Sequence, residues 1–489
     1  MKHEKLAEAL DQISEKHVAE AANARKRHRP YWLGAVAAVL AILILVFSVD
    51  APIVQAQAPL AAPQYPDMAP YPDESAFVDP ATGEFDGDGF SAIFDAWRTD
   101  QLAQRNQPKG YADSLKAFFG RSTREFLSGA GAENRVCSPL NVYMALAMLA
   151  EITGGESRQQ ILNLLNAGDL DSLRTQAGQV WNAHYCADGA SASLLANSLW
   201  LDAELDYDPD AVKTLADSYY ASVYQGELGS AETDKALQDW LNEQTGGLLK
   251  DQVKDIGLDA QTVLALVSTI YFRAKWRTEF NAANNTKDIF YAPSGSRPVT
   301  YMNQTLLYGP YYWGEDFGAV CLNLENGGST WDSSSMWLIL PDEGLTPEDI
   351  LASGNALSMI LNADSREENS KSVKVNLSLP KFDVYADMKL NESLQALGVT
   401  DVFTGRADFS PILPDVDCWL NSVEHAARVK IDEEGVEAAA YTVMMVAGAS
   451  MPPVEEIDFV LNRPFLFLIT SSDNLPLFAG VVNQPFSTQ

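Results

Sequence analysis

The 489-residue chain offers few side chains that could catalyse a reaction. Of its five histidines, His3, His17 and His28 precede an apolar N-terminal segment. The sequence contains no GxSxG, HExxH or glycine-rich phosphate-loop motif. The acidic pairs Glu433-Glu434 and Glu455-Glu456 are more typical of solvated charge than of acid–base machinery. The sequence therefore predicts neither an enzyme nor a bound cofactor.

The cysteines give no indication of a metal site. They are widely scattered, with no CxxC spacing and no Cys/His cluster, so a structural zinc site is not expected. We predict that the cysteines are small buried hydrophobic residues and do not form a disulfide framework. The four are Cys137, Cys186, Cys321 and Cys418.

The most unusual segment is Ile431–Pro453, IDEEGVEAAAYTVMMVAGASMPP. Three alanines follow Gly435, an apolar run covers Val443–Val446, and a flexible AGAS tip precedes Pro452-Pro453. An ordinary loop or a short helix is one interpretation, because alanine favours helix. However, an exposed loop that carries Val and Met is a liability unless it can be buried elsewhere. The segment is therefore a candidate for an exposed loop that can move to a buried position.

Composition limits the partners. The net charge of -32 argues against nucleic acid, because phosphate binding needs a basic surface. Hydrophobic residues make up 47% of the chain, which is enough for a large core.

The N-terminus predicts a membrane anchor. Leu33–Val49 is uncharged and apolar, and as a helix it would span roughly 26 Å, close to the bilayer core. Tyr31 and Trp32 suit the interface, and the preceding basic residues favour a cytoplasmic N-terminus. We expect a cytoplasmic segment over 1–30 and a transmembrane helix over 31–50. A cleaved signal peptide, which would give a secreted protein, is the alternative; the length of the leading segment favours the anchor.

A stalk and a globular domain are expected to follow. Residues 51–107 are rich in Pro and Asp, which predicts an extended extracellular spacer, with a short helix over 90–105. From residue 108 to 489, helical patterns come first and strand patterns later, which favours an α+β fold. Helices are predicted over 111–126, 140–151 (after Ser138-Pro139) and 236–244. Strands are predicted over 262–272, 336–340, 373–379, 427–431, 465–470 and 477–482.

Several segments of this domain resemble the serpin family of serine protease inhibitors, and they occur in the family's order. The resemblance implies the serpin fold: clustered helices, three β-sheets and an exposed reactive-centre loop. It implies a protease inhibitor, here resembling a bacterial membrane-anchored member. The matching segments are NRVCSPL from Asn134, LQDWLNEQTGGLLKD from Leu237, TVLALVSTIYFRAKW ending at Trp276, SMWLILPDEG from Ser335, LSLPKFDV from Leu377, LQALGVTDVF from Leu394, NRPFLFLI from Asn462 and PLFAGVVNQP from Pro476.

The resemblance places the reactive bond at Ala449-Ser450, and Pro452-Pro453 supports the same register. The specificity residues before it would be Val446, Ala447 and Gly448. A small residue at the bond suits elastase-like or subtilisin-like proteases, not a pocket that demands a cation. The expected partner is such a serine protease, and the inhibitor is expected to be a monomer that works once. The implied hinge comprises Gly435, Val436, Glu437, Ala438, Ala439 and Ala440.

Two positions depart from the family pattern. Val436 stands where inhibitory members usually carry Thr or Ser, and Ser268 replaces an asparagine that pairs with the histidine aligned at His425. Ser268 could still bond His425, although its reach is shorter. The implied shutter and breach residues are Ser138, Pro139, Ser268, Trp276 and His425. A non-inhibitory surface module for binding or adhesion is the alternative, but the small hinge residues favour inhibition.

Overall fold

The computed structural model describes residues 59–485 except 67, 81, 188–191, 245–252, 259–261, 326–333, 364–365 and 437–454. The predicted cytoplasmic segment, the transmembrane helix and the loop from Glu437 to Pro453 lie outside these residues. Within the described ranges, none of the helices has the length and apolar character needed to cross a bilayer.

Ten α-helices lie in the described part of the chain. Each predicted helix is present, with shifted ends: the second begins at Pro139 because the Ser138 side chain accepts a hydrogen bond from the Asn141 N–H. The helices are α1 Gly87–Arg105, α2 Lys116–Leu127, α3 Pro139–Ile152, α4 Gly155–Leu165, α5 Leu170–His184, α6 Pro209–Tyr219, α7 Ala231–Gln244, α8 Pro347–Ser353, α9 Asn355–Leu361 and α10 Asn391–Ala396.

The described ranges also contain sixteen strands, twelve of which come after α7. They are β1 Arg135–Cys137, β2 Cys186–Ala187, β3 Ala192–Asp202, β4 Ala221–Gly226, β5 Leu264–Trp276, β6 Thr286–Ala292, β7 Gly295–Trp313, β8 Phe317–Glu325, β9 Ser335–Pro341, β10 Ser370–Pro380, β11 Phe382–Lys389, β12 Glu424–Ile431, β13 Gly435–Val436, β14 Glu456–Val460, β15 Phe465–Thr470 and β16 Pro476–Val482.

The strands pair in three groups that short ladders join into one network. The first, called the central sheet below, runs β4-β3-β5-β13-β12-β11. The second runs β1-β16-β15-β9-β8, and the third runs β6-β7-β10-β14. Ladders of two pairs between β5 and β8 and three pairs between β7 and β8 link them.

Helix α3 lies at the centre of the molecule. It is buried along its length apart from Ala145, and it packs against β5, β16, α4 and α6. A helix enclosed on every side needs no polar face, which explains its almost uniformly apolar sequence. The strands of the central sheet therefore rest on a rigid apolar support.

Part of the predicted stalk is folded rather than extended. Helix α1 begins directly after Asp86, whose side chain accepts a hydrogen bond from the Gly89 N–H. The indole N–H of Trp97, within α1, donates a hydrogen bond to the Ala69 carbonyl over 2.9 Å. Tyr71 and the aromatic side chains of α1 form a local cluster. The Pro- and Asp-rich composition concealed these aromatic residues, which have enough apolar surface to order the segment.

Candidate functional site: the seam between strands β5 and β12

The central sheet contains a seam between β5 and β12. Among the described residues, these two strands share no ladder of their own, and β13 alone pairs with both. Gly435 lies opposite Lys275 and Val436 opposite Ala274, while Val436 also pairs with Ile431 of β12. Strand edges that face each other in this way carry peptide groups able to accept another strand.

At the upper end of the seam, Trp276 fixes the turn that leads into β13. Its indole N–H donates to the Asp432 carbonyl over 2.8 Å, and its backbone N–H donates to the Glu434 carbonyl over 2.9 Å. Trp276 is 2% exposed and packs edge-on against Phe280. The residue predicted to line the loop's entry thus contacts the turn directly before the hinge.

The same turn contains an acidic side chain that is not freely solvated. Glu433 forms an ion pair with Lys381 over 2.5 Å and accepts a hydrogen bond from Asn285 over 2.5 Å. Partial burial opposes its ionisation, but these two partners outweigh that effect and lower its pKa. Glu433 is therefore held in an ion pair, which the sequence did not indicate because both partners are distant along the chain.

Gly435 is required by space rather than by an unusual backbone angle. A Cβ atom there would lie 2.3 Å from the Ala274 carbonyl oxygen and 2.7 Å from the Lys275 Cα. Neither backbone atom can rotate away, so only glycine allows the hinge to approach β5 this closely. The next residue, Val436, is 3% exposed. The remaining hinge residues, Glu437 to Ala440, lie outside the described residues.

Halfway down the seam, His425 of β12 is tied to helix α3. Its Nε2 accepts a hydrogen bond from the Ser138 backbone N–H over 2.9 Å. His425 is 4% exposed, and burial lowers its pKa to about 4. The acceptor role requires a neutral ring, which the low pKa provides. Pro139 follows as the first residue of α3.

On the other side of the seam, Ser268 of β5 makes different contacts from those expected. Its hydroxyl lies 2.5 Å from Asn141 Oδ1 and 2.8 Å from Asn197 Oδ1, and no hydrogen bond joins it to His425. A hydroxyl has one hydrogen, so it donates to only one of these oxygens at a time. Neither asparagine was predicted from the sequence; the position of Asn141, three residues after the helix-capping Ser138, was the available signal.

A small apolar cavity lies below this part of the seam. Its volume is about 40 Å³, and its lining includes Leu266, Leu394, Leu420 and His425. A space of this size between β5, β12 and α3 can take about one methyl group, so it suits a small side chain such as that of alanine. The geometry therefore suits a strand that enters the seam with its side chains directed towards α3.

Comparison with known proteins decides the family. Residues 114–485 match the family model for serpins, the serine protease inhibitors. The chain is a serpin. Its relatives include the leukocyte elastase inhibitor of Sus scrofa, 30% identical over 369 residues that cover 72% of this chain and 94% of that protein. Serpin-Z1C of Triticum aestivum is 29% identical over 371 residues, covering 73% and 91%.

A solved structure shows the same fold. The thermophilic serpin tengpin in its native state matches with a TM-score of 0.67 and 26% identity, covering 78% of this chain and 96% of that one. This serpin belongs with serine protease inhibitors rather than enzymes. Of the five predicted shutter and breach residues, Ser268, Trp276 and His425 lie on the strands of the seam, and Ser138 contacts His425 from the start of α3, where Pro139 follows it. The reactive bond and specificity residues lie outside the described residues.

Proposed function

We propose that this serpin is a suicide-substrate inhibitor of extracellular serine proteases, of the elastase-like or subtilisin-like kind. The observation that carries the proposal is β13: the first two hinge residues already pair with β5 and β12 at the top of the seam. A further strand that enters below them would extend a pairing that has begun.

The chemistry belongs to the protease, and the serpin supplies the bond. The protease serine Oγ attacks the Ala449 carbonyl carbon, the Ala449–Ser450 amide bond breaks, and the nitrogen leaves as the protonated amine of Ser450. An ester then joins the protease to Ala449. Insertion of the loop before water attacks this ester would carry the protease away and distort its active site.

The dimensions of the seam support this step. Strand β5 has 13 residues, which extend to about 43 Å. The stretch from Val436 to Ala449 is of nearly the same length, so a fully inserted loop would carry Ala449 from the top of the seam to its lower end. The alanines at 438–440 are small enough to enter between packed strands.

The specificity proposal depends on the residues before the bond. Val446, Ala447, Gly448 and Ala449 are small and uncharged. A shallow apolar pocket accepts them, whereas a pocket with a buried carboxylate requires a cation to pair with it. The relative named leukocyte elastase inhibitor agrees with this class of target.

We also propose that the domain is tethered outside a cell by the segment 31–50, as part of a bacterial envelope. The support is the apolar run with its basic flank in the sequence. Sequencing the N-terminus of the mature protein in its native membrane would test this directly. A mature N-terminus near residue 57 would instead indicate cleavage and release.

A protease panel tests the inhibitory function. The full chain, incubated with elastase or subtilisin, should give a covalent complex that survives denaturing electrophoresis, with a released fragment that begins at Ser450. An Ala449→Arg variant should instead trap trypsin, which confirms the register. Ala440→Arg should be cleaved without forming a complex, because a charged side chain blocks insertion.

The opposite outcome is equally clear. Clean cleavage of the unmodified protein, with no complex and no gain in thermal stability, would overturn the proposal. Unchanged trapping by Ala440→Arg would contradict insertion as the mechanism.

A further inference from the structure

The chain before helix α2 contacts the outer edge of the central sheet. We call residues 59–66 the strap. The Leu60 N–H donates to the Val223 carbonyl over 2.7 Å, and the Val223 N–H donates to the Ala61 carbonyl over 2.8 Å. Strand β4 is the last strand on this side of the sheet, so the strap covers an edge that would otherwise be open.

An aromatic stack holds the strap beside this edge. The Tyr65 ring lies nearly parallel to Trp181 and Tyr185, with centroids 5.4 and 5.3 Å away, and to Tyr220 at 6.4 Å. Trp181 is fully buried, whereas Tyr65 keeps 37% of its surface exposed. The strap is therefore attached at two independent points, one through the backbone and one through a ring.

Farther along the chain, this segment is attached to the second group of strands. Arg105, at the end of α1, donates from Nε to the Ala183 carbonyl at the end of α5 over 3.0 Å. Tyr111 then donates its hydroxyl hydrogen to Asp473 in the turn between β15 and β16 over 2.9 Å. One continuous stretch of chain thus connects the edge of the central sheet to the β15–β16 turn.

Opening of the seam must strain this connection. A strand that enters between β5 and β12 separates them by one further strand spacing, about 4.8 Å. Strands β3, β4 and β5 form one side of the seam, and α3 packs on both β5 and β16. In the insertion proposed above, this side of the seam would have to shift over α3. Hydrogen bonds near 2.8 Å do not survive a displacement of this size, so contacts along this stretch must break or shift.

We propose that the strap is a conformational brake that slows insertion of the uncleaved loop and so prolongs the active state of the inhibitor. The proposal rests on the inhibitory function proposed above, because it names what regulates the same seam. The strap slows insertion because it stabilises the closed sheet more than the transition state in which the seam opens.

The test follows the lifetime of the active state. The full-length protein and a Tyr65→Ala variant are stored below their unfolding temperature. Samples taken over time are assayed for covalent trapping of subtilisin and for a form that resists urea. Fresh Tyr65→Ala should trap as efficiently as the unmodified protein, but it should convert to the inactive, urea-resistant form about tenfold faster.

Three further variants separate the brake from general destabilisation. Leu60→Pro removes one backbone hydrogen bond to Val223 and leaves the ring stack in place, so it should also accelerate conversion. Tyr65→Phe keeps the ring and should behave like the unmodified protein. Tyr291→Ala removes a tyrosine that is 56% exposed on β6, and it should leave the rate unchanged.

The outcomes distinguish the two proposals. Equal conversion rates for Tyr65→Ala, Leu60→Pro and the unmodified protein would overturn the brake, and so would loss of activity through unfolding with no urea-resistant form. Failure of the fresh unmodified protein to trap any protease would instead overturn the inhibitory function. In that case the urea-resistance measurement still decides whether the strap slows expansion of the sheet.

Discussion

Protonation of His425 should weaken the serpin domain between pH 6.5 and pH 4. In the folded protein, burial holds the pKa of this imidazole at about 4, below its ordinary 6.5. The neutral ring is the stable folded form, and its Nε2 accepts the Ser138 N–H over 2.9 Å. The stabilisation is therefore fully present above pH 6.5 and is lost as the pH falls towards 4.

The size of the effect follows from the two pKa values. Moving the pKa of His425 from 6.5 to about 4 corresponds to roughly 3 kcal/mol of unfolding free energy at pH 4. Most of this loss of unfolding free energy should occur over about two pH units, because between the two pKa values unfolding is accompanied by the uptake of one proton. His184, also buried with a pKa near 4, should add a second proton with the same sign.

The assay is urea unfolding followed by tryptophan fluorescence at several pH values from 7.5 to 4.5. The His425→Gln variant keeps an acceptor for the Ser138 N–H but cannot take up a proton. Its free energy of unfolding should fall less steeply with decreasing pH, by about one proton, than that of the unmodified protein. His184→Gln should remove the second proton on its own, so the two variants separate the contribution of the seam from that of α5.

Parallel pH curves for the unmodified protein and His425→Gln would refute this reasoning. They would mean that the ring is hydrated, or already charged, in the folded state. A change in slope for His184→Gln alone would assign the proton uptake to α5 rather than to the seam.

Three further predictions concern single sites. Gly435→Ala should raise the number of inhibitor molecules consumed per trapped protease, because a methyl group 2.3 Å from the Ala274 carbonyl oxygen opposes docking of the hinge by about 1–3 kcal/mol; unchanged stoichiometry would contradict this. Glu151→Gln should lower the melting temperature, because it removes the buried carboxylate that pairs with Arg174 at 2.6 Å; Arg174 is partly exposed and keeps Asp171 as a second partner, so the cost should be about 1–3 kcal/mol, and an unchanged melting temperature in calorimetry would contradict this. Thiol reagents at pH 8 should react slowly with the native protein and rapidly after unfolding, because burial raises the pKa of Cys321 to about 11; fast reaction at this thiol in the folded state would be inconsistent.

The sequence predicted those helices and strands that are determined by residues close together in the chain. The Ser138-Pro139 start of α3 depends on capping chemistry that reads directly from adjacent residues. The strand alternation before Leu379 predicted β10 for the same reason: side-chain direction alternates along a strand. The serpin fold itself followed from the order of several such segments rather than from any one of them.

The sequence could not predict contacts between distant residues. The ion pair of Glu433 with Lys381 and the pairing of Leu60 with Val223 join positions that no periodicity connects. The reason for Gly435 could not be predicted from the sequence either, because a need for conformational freedom and a close backbone approach both select glycine. Tyr65 was hidden by a composition that, averaged over the segment, indicates a spacer.

The two sides of the seam are held to α3 rather than to each other at the level of His425. Ser268 of β5 contacts Asn141 of α3, and His425 of β12 contacts Ser138 at the start of the same helix. The asparagine common at the Ser268 position in the family would reach across the seam, whereas the shorter serine does not. Separating the strands here therefore breaks no hydrogen bond between these two residues, but moving either strand over α3 breaks the bond that holds it to the helix. The docked hinge pairs directly with β5 at the top of the seam, and in the brake proposed above the covered edge at β4 adds resistance on the outer side of the sheet.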